Sequence, residues 1–178
     1  MFKGIGKQWL KRLAGVSVVT VMMLMIGSGV MAQAQAGATV LTAAEASKLL
    51  PASVYFRGQS ATTQLRNSGG VKFGDGMLVL ATVVDTSGYA TDVKEKYQSY
   101  FITEVPLKIE GQTLPAGIYG VGFIANDKFV VLDVGAHDLL AVGAHKDADL
   151  KRPMPLKITA AADGFRLYMG RSYITFSK

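Results

Sequence analysis

The chain has 178 residues and no cysteine, which excludes a disulfide framework and a lipid-modified cysteine and leaves core packing as the source of stability. Its formal charge of +6 lies mostly at one end: residues 1–36 hold Lys3, Lys7, Lys11 and Arg12 with no acid, and removing those four from 19 leaves 15 basic against 13 acidic residues, or +2. No basic run then remains to follow a phosphate backbone, so nucleic-acid binding is disfavoured.

The first element is an address. After the basic start, Leu13 to Ile26 is almost wholly apolar. Gly27-Ser28-Gly29 loosens the chain, and small-x-small cleavage patterns end at Ala32, Ala34 and Ala36. This is the pattern of a secretory signal peptide over residues 1–36, so the expected location is the periplasm or outside the cell. The membrane would be met only through that peptide before cleavage. Residues 37–178 are left as a single β-rich domain.

Thr42-Ala-Ala-Glu45 is a capping box, and a short helix should run from it to Leu50, stopped by Pro51. Ser53 to Arg57 is the first expected strand, with Val54 and Phe56 on one face and Tyr55 and Arg57 on the other. Gln59 to Gln64 is a polar strand. Asn67-Ser68-Gly69-Gly70 and Gly74-Asp75-Gly76 have turn composition. Met77 to Val84 is a strong apolar strand, residues 88–96 an exposed loop, and Tyr97 to Val105 another strand.

The clearest signal lies in residues 107–134. Leu107 to Glu110 alternates, Gly111-Gln112-Thr113 breaks the run, and Pro115-Ala116-Gly117 sets a second turn in which Gly117 is expected to supply a positive φ. On the next strand Tyr119, Val121 and Phe123 share one face, and Gly120 and Gly122 the other. Two glycines on one face mean that something approaches closely, either packed protein or a ligand. A dinucleotide loop is rejected: the glycine spacing is wrong and no helix pattern follows. Asn126-Asp127 is a hairpin turn, and Phe129 to Leu132, apolar without alternation, should be buried on both faces. Asp138 to Val142, Leu156 to Ala160, Phe165 to Met169 and Ser172 to Phe176 complete the strands, with residues 144–154 as a surface loop.

About eight to ten short strands, with turns every 8–12 residues and one N-terminal helix, predict a mainly all-β fold, an antiparallel barrel or sandwich. A small outer-membrane barrel is a lesser alternative, because the strands run shorter than the ~9–11 residues of a tilted span.

Candidate sites are few. Tyr55, Arg57, Gln64, Arg66 and Tyr119, with Gly120 and Gly122, are expected to line a polar cavity for a small anionic or amphipathic ligand. Asp133, His137, His145 and Asp147, near Asp138 and Asp149, are the residues most like metal ligands, though no recognised spacing joins them. Glu104 and Glu110 would make a glycosidase pair only if a cleft brought them face to face. No nucleophile elbow is present, and no cofactor is expected.

The segments Leu114–Phe123 (LPAGIYGVGF) and Phe129–Asp138 (FVVLDVGAHD) resemble a group of small exported β-rich proteins of Gram-negative soil bacteria. The resemblance implies an exported β-domain and brings no catalytic residues to carry over. The function expected is non-catalytic binding of a small molecule or a protein partner in the cell envelope. The alternatives are a structural envelope or assembly protein and, further off, the small barrel or a hydrolase.

Overall fold

In the computed structural model residues 37–178 are described. The leader expected over residues 1–36, with its cleavage positions, lies outside them. The chain runs through β1 (Thr39–Leu41), α1 (Ala43–Ala46), β2 (Ser53–Phe56), β3 (Gln59–Lys72), β4 (Leu78–Val84), α2 (Thr91–Lys96), β5 (Ser99–Thr103) and β6 (Leu107–Ile109). It continues through β7 (Gln112–Leu114), β8 (Gly117–Ile124), β9 (Lys128–Leu132), β10 (Asp138–Gly143), β11 (His145–Lys146), β12 (Met154–Ala161), β13 (Gly164–Gly170) and β14 (Ser172–Ser177).

These strands make two antiparallel sheets. The large one has the order β1-β3-β4-β5-β8-β9-β10, with β2 also on β3. The small one has the order β12-β13-β14-β6-β7, with β11 also on β14. Neither sheet closes on itself, so among the described residues the fold is sandwich-like, and the barrel, membrane-spanning or not, is not adopted. No helix among the described residues is long and apolar enough to cross a membrane. More strands form than expected because β7 and β11 are too short to show alternation in sequence.

Between the sheets lies the main core. Val71, Val79, Phe101, Val121, Phe129 and Val131 of the large sheet meet Leu107, Ile109, Leu156, Leu167, Ile174 and Phe176 of the small one. Burying each such side chain contributes roughly 1.5–3 kcal/mol. A second core covers the other face of the large sheet, where Ala46, Leu50, the β2–β3 hairpin, Tyr89 and α2 close over Leu80, Val84 and Leu132. The central strands of the large sheet are therefore dry on both faces, which is why β9 shows no alternation: Phe129 and Val131 face the small sheet and Leu132 faces the cap.

Four local expectations are corrected. Ser68, Gly69 and Gly70 do not turn; they are buried inside β3. A methyl group on Gly69 would lie 3.4 Å from the Ile158 backbone nitrogen, so small residues there let β12 come close. The irregularity is instead a bulge between Gln64 and Ser68, held by Asn67 Nδ2 donating to Gln64 Oε1 (2.8 Å). Residues 88–96 are not an exposed loop: Tyr89 and Val93 are buried, and α2 forms although so short a helix is marginal alone. The positive φ expected at Gly117 occurs at Glu110 (46°) and Gly111 (81°), which join β6 to β7. Gly117 instead makes room for Tyr119, whose hydroxyl donates to the Pro115 carbonyl (3.0 Å). The capping box forms, with Thr42 N–H donating to Glu45 Oε2 (2.8 Å), but α1 ends at Ala46 and single turns carry the chain to Leu50.

Candidate functional site

The small sheet turns one face to the core and the other outward. Gly170-Arg171 is a two-residue turn, so β13 and β14 pair in a fixed register: Tyr168 opposite Tyr173, Leu167 opposite Ile174, and Arg166 opposite Thr175. Strict alternation then sends Leu167 and Ile174 into the core, and Arg166, Tyr168, Tyr173 and Thr175 to the outer face. β6 adds Lys108, and β11 lays His145 opposite Tyr173. A cavity of about 410 Å³ opens there, lined by Lys108, Glu110, His145, Asp163, Arg166 and Tyr173 with neighbouring β14 residues.

Each group in the cavity is held differently. Glu110 is fixed by the β6–β7 turn; its Oε1 accepts the Thr175 N–H (2.6 Å) and its Oε2 lies 3.2 Å from His145 Nε2. Tyr168 is buried under the 145–149 segment and donates to Asp147 Oδ2 (3.2 Å). The rings of Tyr168 and His145 lie 5.0 and 5.2 Å from that of Tyr173. Over the Tyr173 ring, 4.7 Å from its centroid, sits the Arg166 guanidinium, a cation–π geometry.

Arg166 is the unusual member. Its Nη1 makes one long contact with the Tyr168 hydroxyl (3.5 Å), and its buried Nε has no acceptor. Two carboxylates, Glu110 and Asp163, line the same cavity, yet among the described residues neither forms an ion pair with it. The bond to Tyr168 holds its pKa above even the usual guanidinium value, so it is a permanent cation. A desolvated donor without an acceptor costs roughly 1–3 kcal/mol. Nε itself is closed to solvent, so an acceptor from outside the chain can meet the guanidinium only on its Nη side.

The residues singled out from sequence fall elsewhere. Tyr119 faces the inter-sheet core. Gly120 and Gly122 face the cap: a methyl group on Gly120 would lie 2.7 Å from both the Phe56 and Tyr97 rings, and one on Gly122 would collide with the Lys96 carbonyl. Tyr55 and Arg57 are exposed on the β2–β3 hairpin, where Arg57 Nη1 lies 3.4 Å from Asp92 Oδ2. Gln64 holds the β3 bulge and Arg66 is exposed beside it. The structure does not bring these seven together, and none lines the cavity above or a second one of about 270 Å³ between β1 and β12.

The metal candidates are also split. Asp133 and His137 form their own pair (Oδ2 to Nδ1, 2.9 Å) in the β9–β10 connection. Backbone N–H donation from His137, then its side chain, holds the Asp133 carboxyl below the usual range. His145 goes to Glu110 and Asp147 to Tyr168, while Asp138 pairs with Lys96 (2.6 Å). Among the described residues no three His, Asp or Glu side chains converge. Glu104 accepts the Leu78 N–H (2.7 Å) while Glu110 serves Thr175, so each ties down a different backbone group.

Arg166, Tyr173, Lys108 and Asp163 went unnoticed in the sequence. The signal was present: two alternating strands around a two-residue turn put one Arg and two Tyr on one face. No family model matches the chain, and no curated protein or solved structure matches it.

Proposed function

We propose that residues 37–178 are an exported, non-catalytic binding domain of the cell envelope, and that a small molecule docks on the outer face of the small sheet. The observation that carries this is Arg166: a guanidinium stacked on Tyr173, in a cavity with two carboxylates and ion-paired with neither. A volume of about 410 Å³ falls in the range of small-molecule sites, roughly 300–1,000 Å³. The basic, apolar and small-residue pattern of residues 1–36 supports the envelope as its place of work. A binding role, rather than acid–base work, fits Glu110, which positions the Thr175 backbone and His145.

The test is an untargeted mass-spectrometric search for compounds co-purifying with the protein as the cell processes it, beside its Arg166→Ala variant. The expected result is a compound present with the first and depleted with the second. Retention of the same compounds by both would overturn the reading.

A second reading, an assembly protein, is favoured by one feature. The outer strands β10 and β12 expose Leu139 and Met154, and unpaired strand edges accept strands from other chains. Cross-linking in intact cells would favour it by trapping partners through β10 or β12 with the Arg166 face free.

A further inference from the structure

The geometry points to a defined class of ligand for the Arg166 cavity: a singly charged carboxylate whose neighbouring carbons carry hydrogen-bond donors, as in an acidic sugar or an amino acid. This rests on the binding site proposed above and specifies its chemistry.

The anion comes from Arg166. A guanidinium presents a flat fork of N–H groups that matches the two oxygens of a carboxylate. Tyr173 backs the guanidinium at 4.7 Å, and among the described residues only Nη1 has a partner, at the 3.5 Å limit. Lys108 supplies a second positive charge on the wall formed by β6.

The charge and the donors come from the acids. Glu110 and Asp163 line the same cavity, so its fixed charges nearly balance when His145 is neutral. With two cations against two carboxylates the lining carries no net charge, so a phosphate dianion would leave two charges uncompensated, whereas one carboxylate leaves a single one and can sit at the Arg166 edge. Hydroxyl or ammonium groups on the adjoining carbons would meet acceptors. Glu110 uses one direction on each oxygen, toward Thr175 N–H and His145, and an ionised carboxylate has about four acceptor sites. An apolar ligand would leave the free acceptor directions of Glu110 unused.

The experiment is an NMR titration of the 15N-labelled protein, purified as the cell processes it, with D-glucuronate, L-alanine, D-glucose and inorganic phosphate as separate probes. The amides of Arg166, Tyr173 and Thr175 report binding. The expected result is that glucuronate or alanine moves them, the tighter of the two identifying the source, with glucose and phosphate weaker by about tenfold or more. Arg166→Lys keeps the charge but loses the fork, and should weaken the carboxylate by about tenfold while leaving glucose unchanged. Glucose as tight as glucuronate, phosphate tightest of the four, or no effect of Arg166→Lys would overturn the carboxylate class while leaving a binding site in place. Silence with every probe at tens of millimolar overturns it too. The co-purification experiment then decides separately whether the cavity binds anything.

Discussion

The two outward faces of the sandwich began with similar material, alternating strands with aromatic residues, and ended differently. On the large sheet the chain folded back over itself. Phe56 and Tyr97 stack at 3.7 Å with an interplanar angle of 16°, Tyr89 meets both edge-on, and the Tyr89 hydroxyl donates to the Phe56 carbonyl (3.0 Å). That cap fits because β8 offers Gly120 and Gly122 beneath it. On the small sheet the corresponding positions carry Arg166, Tyr168, Tyr173 and Thr175, and the short β11 pairs beside β14. Glycines in a strand let the protein supply its own cover. Long polar side chains hold cover away and leave a cavity with open hydrogen-bonding groups.

Substitutions can break this contrast. The largest effect is expected at Phe56→Ala, which empties the stack under the cap and should cost about 3–5 kcal/mol in urea unfolding. Gly120→Ala puts a methyl group against Phe56 and Tyr97 and should cost about 1–3 kcal/mol by overpacking. Tyr97→Phe should go the other way. Its hydroxyl is buried without a partner among the described residues, and burial raises its pKa well beyond the usual phenol value. Removing that oxygen should stabilise by roughly 1 kcal/mol, and a loss of stability would mean the hydroxyl has a partner. Arg166→Ala loses the cation–π contact but also relieves the buried Nε, so the two effects oppose and stability should change by about 1 kcal/mol or less.

The smallest expected effect is acidic. Backbone N–H groups donating to Asp133 and Asp85, the Thr42 backbone N–H at Glu45, and Lys178 beside Asp75 hold these carboxyls below their usual values of 3.8, or 4.5 for Glu45. The unfolded chain therefore binds more protons as pH falls through that range. Their contribution is present above those values and is lost as pH drops through the lower folded ones. Asp133→Asn removes its share of that contribution, so it should lower the plateau above about pH 5 slightly and make the acid limb shallower, the two curves converging at low pH.

Much of the fold was legible because the rules that wrote it are local. The alternation of β2, the capping box at Thr42, the unbroken apolar run of β9 and the turn at Asn126-Asp127, with φ of 62° and 51°, each depend on neighbours in sequence. What was missed depends on partners far along the chain. Ser68-Gly69-Gly70 has turn composition but is held straight by β12, and α2 exists because Val93 and Tyr97 find the large sheet. The candidate binding residues do not meet for the same reason. Tyr55, Arg57, Gln64 and Arg66 look like a polar strand face, but the β3 bulge and the hairpin's role as a cap turn that face to solvent. Arg166 and Tyr173 line a cavity only because Glu110 and His145 reach it from other strands.

Hydrogen exchange of the protein as the cell processes it, with and without a small-molecule extract of the envelope, tests most directly whether the open face is the binding face. Exchange should slow in peptides covering residues 106–112 and 163–176 and stay unchanged in residues 53–64. Protection confined to residues 53–64, with the small sheet unaffected, would contradict it.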